Sequence, residues 1–482
     1  MKKSKSKIAI IGGGIAGSSI ALYLGKVGLK AGLEVTLFEK KESLVSGPPI
    51  CHLHAGGNLY REISDTQCIN LLHESIELAK LYPLAVDHRP TVIAIPTYDN
   101  GLPEELFKRL DLLKNEYTQL VKRDDSNKVL GEPQYYYKIF FQKELEELAK
   151  RENILKPKTL DEWMIPVAKN LEYDKVKFPL IMVQEYGLNI FRLAASATLS
   201  LENLQNTSVK LQSQVLDINE YENTFDLTYM YKNEICQENF DYIINAAGFR
   251  TGDIDDMLGF TRERLVEFKA AYVTQWDTNL MWPEMIFHGV RGTPNGMGQF
   301  TPYADGCVQL HGMTQDITLF ENGLVHSTQS SAQPKLEDSF VKKIDEGWCE
   351  EETYERSVRA IEHLSKFIPA FSKAKVVSQP LYGAQQIPGN DPSLRAVGVS
   401  FEGKRYARCE NVKASSVLGM ADEILAELVS LRMVDQKLLK FRDFKSTNSY
   451  GNEKLTQCAT NFCAQRAYPL AMGKQYNNYV SF

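Results

Sequence analysis

Two stretches of this sequence carry residue types able to do chemistry. Residues 47–57 read GPPICHLHAGG and put Cys51, His52 and His54 within four positions. A thiol and two imidazoles at that spacing could supply half of a metal site, line a cofactor pocket, or fill a turn. The spacing allows two simultaneous ligands, and no complementary cluster stands elsewhere in the chain, so no metal is expected. The eight cysteines form no CxxC pair, which argues against a zinc ribbon or a thioredoxin-like site and for reduced thiols. The second stretch is Gly12-Gly13-Gly14-Ile15-Ala16-Gly17, a G-x-G-x-x-G.

The elements around this second stretch give it meaning. IAII (8–11) is a short apolar run of the kind found in a buried parallel strand. SSIALYLGKVG then carries small and apolar residues at helical spacing, and a second strand, EVTLFEKKE, holds Glu39 near its end. Strand, glycine turn, helix, strand and acidic residue follow in the order of a dinucleotide-binding unit. Gly12 permits the tight turn, Gly14 lets a pyrophosphate approach the backbone, and Gly17 lets helix and strand pack closely. The helix N-terminus offers free N–H groups to phosphate. Glu39 can accept from both ribose hydroxyls and would repel a 2′-phosphate. By itself the motif does not separate NAD from FAD.

The 482-residue chain is long enough for two or three domain-sized units. Its net charge of -6 argues against nucleic acid as a partner. The N-terminus, with a basic start and an apolar run, superficially resembles a signal peptide, but glycines break the run and no clear cleavage site ends it. No uninterrupted apolar run approaches the ~20 residues of a membrane span. The expected location is the cytoplasm, with a membrane surface as one place for a partner. Residues 66–81 and 103–123 carry helical periods, and 88–98 alternates like a strand. Residues 189–204 read as a helix capped by Asn189. A β-meander then ends in DYIINAAG (241–248), strand patterns dominate 263–320, and a helix is expected over 352–367. Near the end, a loop leads into a helix starting near Ser415 or Ser416. No second G-x-G-x-x-G follows a strand, so no separate nicotinamide domain is visible.

With these segments in order, the sequence resembles the D-amino-acid-oxidase-like superfamily of FAD proteins. HLHAGGNLY (52–60) resembles the flavin loop of L-2-hydroxyglutarate dehydrogenases and malate:quinone oxidoreductases. EYGLNIFRLAASA (185–197), VEFKAAYV (266–273) and GQFTPYADGCVQLHG (298–312) are similar to further segments of those families. Two departures stand out. Many relatives carry an Arg where this chain has Gln385 and Gln386, and the match after Gly312 is lost. Residues 436–482 lie outside the resemblance.

The resemblance implies an α/β fold: a Rossmann-like FAD-binding domain of glutathione-reductase type, interleaved with an α+β substrate domain built on an antiparallel sheet. The expected FAD-binding parts are 1–87, 186–262 and 376–435. The expected substrate parts are 88–185 and 263–375, and 436–482 is a tail of unknown role. FAD is expected against Gly12, Gly14, Ile15, Ala16, Gly17, Glu39, Lys40, His54, Ala55, Gly56, Val215, Ala247, Gly248, Ser415, Ser416 and Val417. If the late helix starts near Ser416, its dipole would stabilise a reduced, anionic flavin.

His54, His311, Lys269 and Arg250 are the polar candidates for catalysis. Oxidising a 2-hydroxy acid needs a base for the O–H proton, which a neutral His suits, and a cation for the carboxylate. His54 is the first choice for a place beside the isoalloxazine and His311 the second choice of base. Lys269 could hold a carboxylate or assist oxygen reduction. Arg250 could serve the FAD phosphates or a surface ion pair. The expected activity is FAD-dependent oxidation of a small polar molecule, a 2-hydroxy acid first, with quinone or another carrier as acceptor. The alternatives are an amine or amino-acid oxidase that uses oxygen, and a non-catalytic flavin-binding protein.

Overall fold

The first strand, β1 (Ser6–Ile11), the helix α1 (Ile15–Ala31) and the second strand β2 (Leu33–Phe38) form the expected N-terminal unit. They belong to a computed structural model that describes residues 6–49, 53, 63–394, 398–410, 412–439, 441–443 and 449–477. α1 stays close to the sheet because its first turns hold Ala16, Gly17, Ser18 and Ser19, all buried. It ends at Gly32, whose φ of 76° suits a residue without Cβ.

Among the described residues, β1 and β2 lie inside a six-stranded sheet. Its order is Val399–Glu402, Tyr406–Cys409, Tyr242–Asn245, β1, β2, Thr207–Lys210. All neighbours are parallel except the outermost pair at Val399–Glu402. A three-stranded antiparallel sheet, Ser213–Glu220, Phe225–Tyr231 and Glu234–Phe240, stands beside it. The helix Ile190–Glu202 begins where expected, since Asn189 Oδ1 accepts from the N–H groups of Phe191 and Arg192 at 3.1 Å each. Such a cap contributes about 1 kcal/mol.

The second sheet has ten strands among the described residues and is centred on Arg264–Gln275. Only its contact between Thr91–Pro96 and Glu284–Phe287 is parallel. One face packs on an aromatic core that includes Trp163, Trp282, Phe300 and Phe371. The mixed α/β architecture therefore matches the expected class. One strand sits differently from the proposed segmentation. Leu381–Pro388 pairs along its whole length with Arg264–Gln275 in the larger sheet, although a boundary at 376 would give it to the FAD-binding part. Alternation along a strand reports which faces are buried, not which sheet it joins.

The tail has a place in this fold. The helix Gly451–Gln465 turns buried Leu455, Ala459 and Cys463 inward, four residues apart. It packs on Ile190–Glu202, and Arg192 donates to Asn452 Oδ1 at 2.6 Å and Thr456 Oγ1 at 3.0 Å. Burying a side chain of leucine size stabilises such a contact by about 1.5–3 kcal/mol. Among the described residues, no helix is long and apolar enough to cross a membrane.

Candidate active site

A cavity of about 1710 Å³ runs between the two sheets. At one end its wall is the glycine turn. Gly12 has φ of 103°, and a Cβ there would lie 2.4 Å from the carbonyl oxygen of Ala246. A Cβ on Gly17 would lie 1.9 Å from the carbonyl oxygen of Gly12. Gly14 differs, because a Cβ on it would meet nothing within 4 Å. It is also the N-cap of α1, which has no side-chain cap and no acidic residue in its first turn. An uncapped 17-residue helix thus opens onto empty space at the one glycine of this turn where an added Cβ would meet no atom within 4 Å, an arrangement that suits a pyrophosphate.

Glu39 is buried beside this turn. Its Oε2 accepts from the N–H of Gly13 at 2.7 Å and its Oε1 from that of Lys41 at 2.8 Å. Those two bonds fix the carboxylate, and each oxygen keeps acceptor capacity for a ribose hydroxyl. Val215 lines the same end from the neighbouring sheet, with Ile15, Ala16, Lys40, Ala247 and Gly248. Gly17 lies behind the turn and acts through packing.

The late helix starts at Val417 after a turn at Ala414–Ser416, close to where it was expected. Ser415 lines the cavity, and its buried hydroxyl has no hydrogen-bond partner among the described residues. Ser416 instead donates to Glu74 Oε2 at 2.9 Å, and Val417 is fully buried. Burial raises the pKa of Glu74, and the Ser416 bond opposes it. An orphaned hydroxyl, an open phosphate-type cradle and a fixed ribose-type acceptor together fit a long dinucleotide such as FAD.

At its other end the cavity is lined by side chains. Lys269 and Glu267 sit two residues apart on one strand and so share a face. Lys269 Nζ lies 2.7 Å from Glu267 Oε2 and 3.2 Å from Gln385 Oε1. Arg291 pairs with the other oxygen of Glu267. Gln385 donates in turn to the carbonyl of Val412 at 2.6 Å, and Gln386 to that of Cys409 at 2.8 Å. Gln385 therefore ties this sheet to the loop before the late helix, and Gln386 ties it to the end of the strand Tyr406–Cys409.

His311 faces Gln299 across two paired strands, and both line the cavity. Gln299 is held by Glu284, which accepts from it at 2.6 Å and pairs with the buried Arg89 at 2.8 Å. Arg250 lies at the rim, a third exposed, with Asp253 at 3.5 Å and Asp345 at 3.4 Å. His54, Ala55 and Gly56, with Cys51 and His52, lie outside the described residues. Sequence reasoning missed Glu267, Arg291 and Gln299. The available signal was Glu267 two positions before Lys269, on the same face of a strand.

The family model described as FAD dependent oxidoreductase matches residues 7–165, which include the glycine turn, α1 and Glu39. The protein is an FAD-dependent oxidoreductase. No curated protein matches this oxidoreductase. Solved structures share its fold at low identity. Glycine oxidase from Geobacillus kaustophilus has a TM-score of 0.55 at 13% identity, covering 90% of this chain and 95% of that one. L-amino acid deaminase from Proteus vulgaris gives 0.57 at 12%, covering 89% and 94%. Glycerol-3-phosphate dehydrogenase from Bacillus halodurans, complexed with FAD, gives 0.53 at 12%, covering 98% and 74%. These likenesses show that the oxidoreductase shares a common architecture with them.

Proposed function

We propose that this oxidoreductase oxidises a small carboxylate-bearing metabolite at the carbon beside the carboxylate, with a 2-hydroxy acid as substrate and a quinone or another carrier as electron acceptor. Bound FAD supplies the two-electron acceptor for the substrate C–H bond. The observation that carries the reading is the wall of the cavity facing away from the glycine turn, where Lys269, Arg291, His311, Gln299 and Gln385 converge. Covering such a wall with an apolar molecule would strip these groups of water without replacing its hydrogen bonds. A polar anion replaces them. Arg291 offers a fork for a carboxylate, and Lys269 a point charge held by Glu267. His311 is the base that would take the hydroxyl proton, with His54 as the competing choice.

A second reading keeps the carboxylate and changes the bond: an amino acid oxidised at C–N, with oxygen as acceptor. The names of two fold neighbours, glycine oxidase and L-amino acid deaminase, favour it. One experiment separates the two. The purified enzyme is mixed without oxygen with panels of 2-hydroxy acids and amino acids, and loss of flavin absorbance is followed. Bleaching by a hydroxy acid, then fast reoxidation by a quinone analogue and slow reoxidation by oxygen, is the expected result. Bleaching by amino acids alone, with hydrogen peroxide released on aeration, would overturn it.

A further inference from the structure

The tail reaches the cofactor cavity at Arg466 and Tyr468. Arg466 follows the helix Gly451–Gln465, and both it and Tyr468 line the cavity. Its guanidinium donates to the carbonyls of Leu44 at 2.7 Å and Val45 at 3.1 Å, and to Ser43 Oγ at 2.9 Å. That loop rests on the glycine turn. Val45 N–H donates to the carbonyl of Gly13 at 2.9 Å, and a Cβ on Gly13 would meet the Leu44 side chain at 2.6 Å. Arg466 also lies over the rings of Phe191, at 5.8 Å, and Phe462, at 5.1 Å. Its own carbonyl accepts from Gln379 at 3.1 Å, and Tyr468 donates to the carbonyl of Pro380 at 2.7 Å.

These acceptors are a hydroxyl and two backbone carbonyls, all neutral. Burial pulls the arginine below its ordinary pKa, with Tyr468, Cys463 and Glu39 acting in the opposite direction. Among the described residues no carboxylate hydrogen-bonds this cation, and Glu39 acts on it only through space; withdrawing such a cation from water is costly unless a further anion shares its site. The cavity it borders is the one into which the uncapped end of α1 opens, and FAD carries a doubly charged pyrophosphate.

We propose that residues 451–473 are a strap on the cofactor cavity, and that Arg466 is a cofactor-binding residue whose charge acts on the anionic pyrophosphate of FAD while its fork holds residues 43–45 on the glycine turn. The proposal rests on FAD as the cofactor. It gives the tail a function and predicts that the chain loses its flavin without it.

The test uses the full-chain holoenzyme and follows FAD release by the rise of free-flavin fluorescence over a range of salt concentrations. Arg466→Gln is expected to weaken FAD binding by about tenfold at low salt and to flatten its salt dependence, because a screened charge has been removed. Arg466→Lys is expected to keep the salt dependence and stay within about threefold of the parent. A loop-holding role alone would lower affinity in both variants and leave the salt dependence unchanged. The unmodified protein gives an independent measurement. FAD should slow amide exchange across 451–473, since binding coupled to the strap must also stabilise the strap. Unchanged affinity in Arg466→Gln, or exchange in the tail indifferent to FAD, overturns the proposal. A protein that binds no flavin at all overturns the cofactor assignment instead.

Discussion

At the cofactor end the cavity wall is built around the short segment 11–16 and the matching turn at 246–248. At the substrate end it is side chains: Lys269 from one strand, Arg291 from a loop, Gln299 and His311 from a hairpin, and Gln385 from a strand more than a hundred residues after Lys269, with Glu267 holding Lys269 and Arg291. A pyrophosphate is recognised by N–H groups that every residue owns, so the sequence must supply only glycines where a Cβ cannot fit. A small substrate is recognised by particular side chains, and an antiparallel sheet collects these from anywhere along the chain. The first kind of site tolerates little change at few positions. The second spreads its function over many positions, each of modest effect.

That contrast can be broken by substitution. The largest effect is expected from Gly12→Ala, where a Cβ would sit 2.4 Å from a carbonyl oxygen in a backbone with φ of 103°. Strain and clash of that order cost about 3 kcal/mol or more, enough to reduce flavin retention about a hundredfold. Flavin content and the melting temperature measure it; a normally flavinated Gly12→Ala protein would show the turn to be less demanding than its geometry.

Arg291→Ala should raise KM for a carboxylate substrate by about tenfold or more, while the flavin spectrum stays unchanged. Arg291→Lys should recover only part of the loss, because the fork is gone. Loss of flavin in either variant would join the two ends of the cavity and contradict their separation. Next in size, His311→Gln should slow anaerobic flavin reduction by about tenfold or more and remove the acid limb of its pH profile. His54→Ala measured in parallel decides which imidazole is the base; a tenfold loss confined to His54→Ala removes His311 from that role.

The smallest effects are in the pH dependence of stability, and they have opposite signs in the two halves. Beside the substrate end, His363 contacts the carbonyl of Gly296 at 3.0 Å, and burial lowers its pKa to about 4. Its contribution is complete above the unfolded value of about 6.5 and is lost as pH falls toward 4. In the cofactor half, Glu427 pairs with the hydroxyl of Tyr242, and burial raises its carboxyl to about 7. Its contribution is complete below the unfolded value of about 4.5 and is lost as pH rises through 7. Melting curves from pH 4 to 8 should therefore lose their alkaline decline in Glu427→Gln and their acid decline in a neutral His363 replacement. A Glu427→Gln curve parallel to that of the parent would remove the carboxyl from this role.

Much of the cofactor end was legible in the sequence because its signals are local. The turn, the helix it caps and Glu39 lie within one stretch of chain, and Asn189 marks its own helix by the bonds it makes two and three residues on. The substrate end was only half legible. His311 and Lys269 could be picked out as residue types, but Arg291 and Gln299 become partners only through strand pairing and loop return. Gln385 and Gln386 read as a missing arginine, whereas in the fold they tie the larger sheet to the loop at Val412 and to the end of the strand Tyr406–Cys409. The boundary at 376 failed for Leu381–Pro388 for the same reason, since pairing partners are not written in a strand's own alternation.

By itself, then, the sequence marked out a dinucleotide-binding unit and the glycine turn at which a pyrophosphate is expected. Steric exclusion at glycine and the dipole of the following helix act over a few residues, so they survive as a short motif. Only the tertiary structure decided which side chains gather at the far end of the cavity and that the tail reaches the cavity at Arg466 and Tyr468. Those juxtapositions come from sheet registry and helix packing between segments hundreds of residues apart, and no local pattern encodes them.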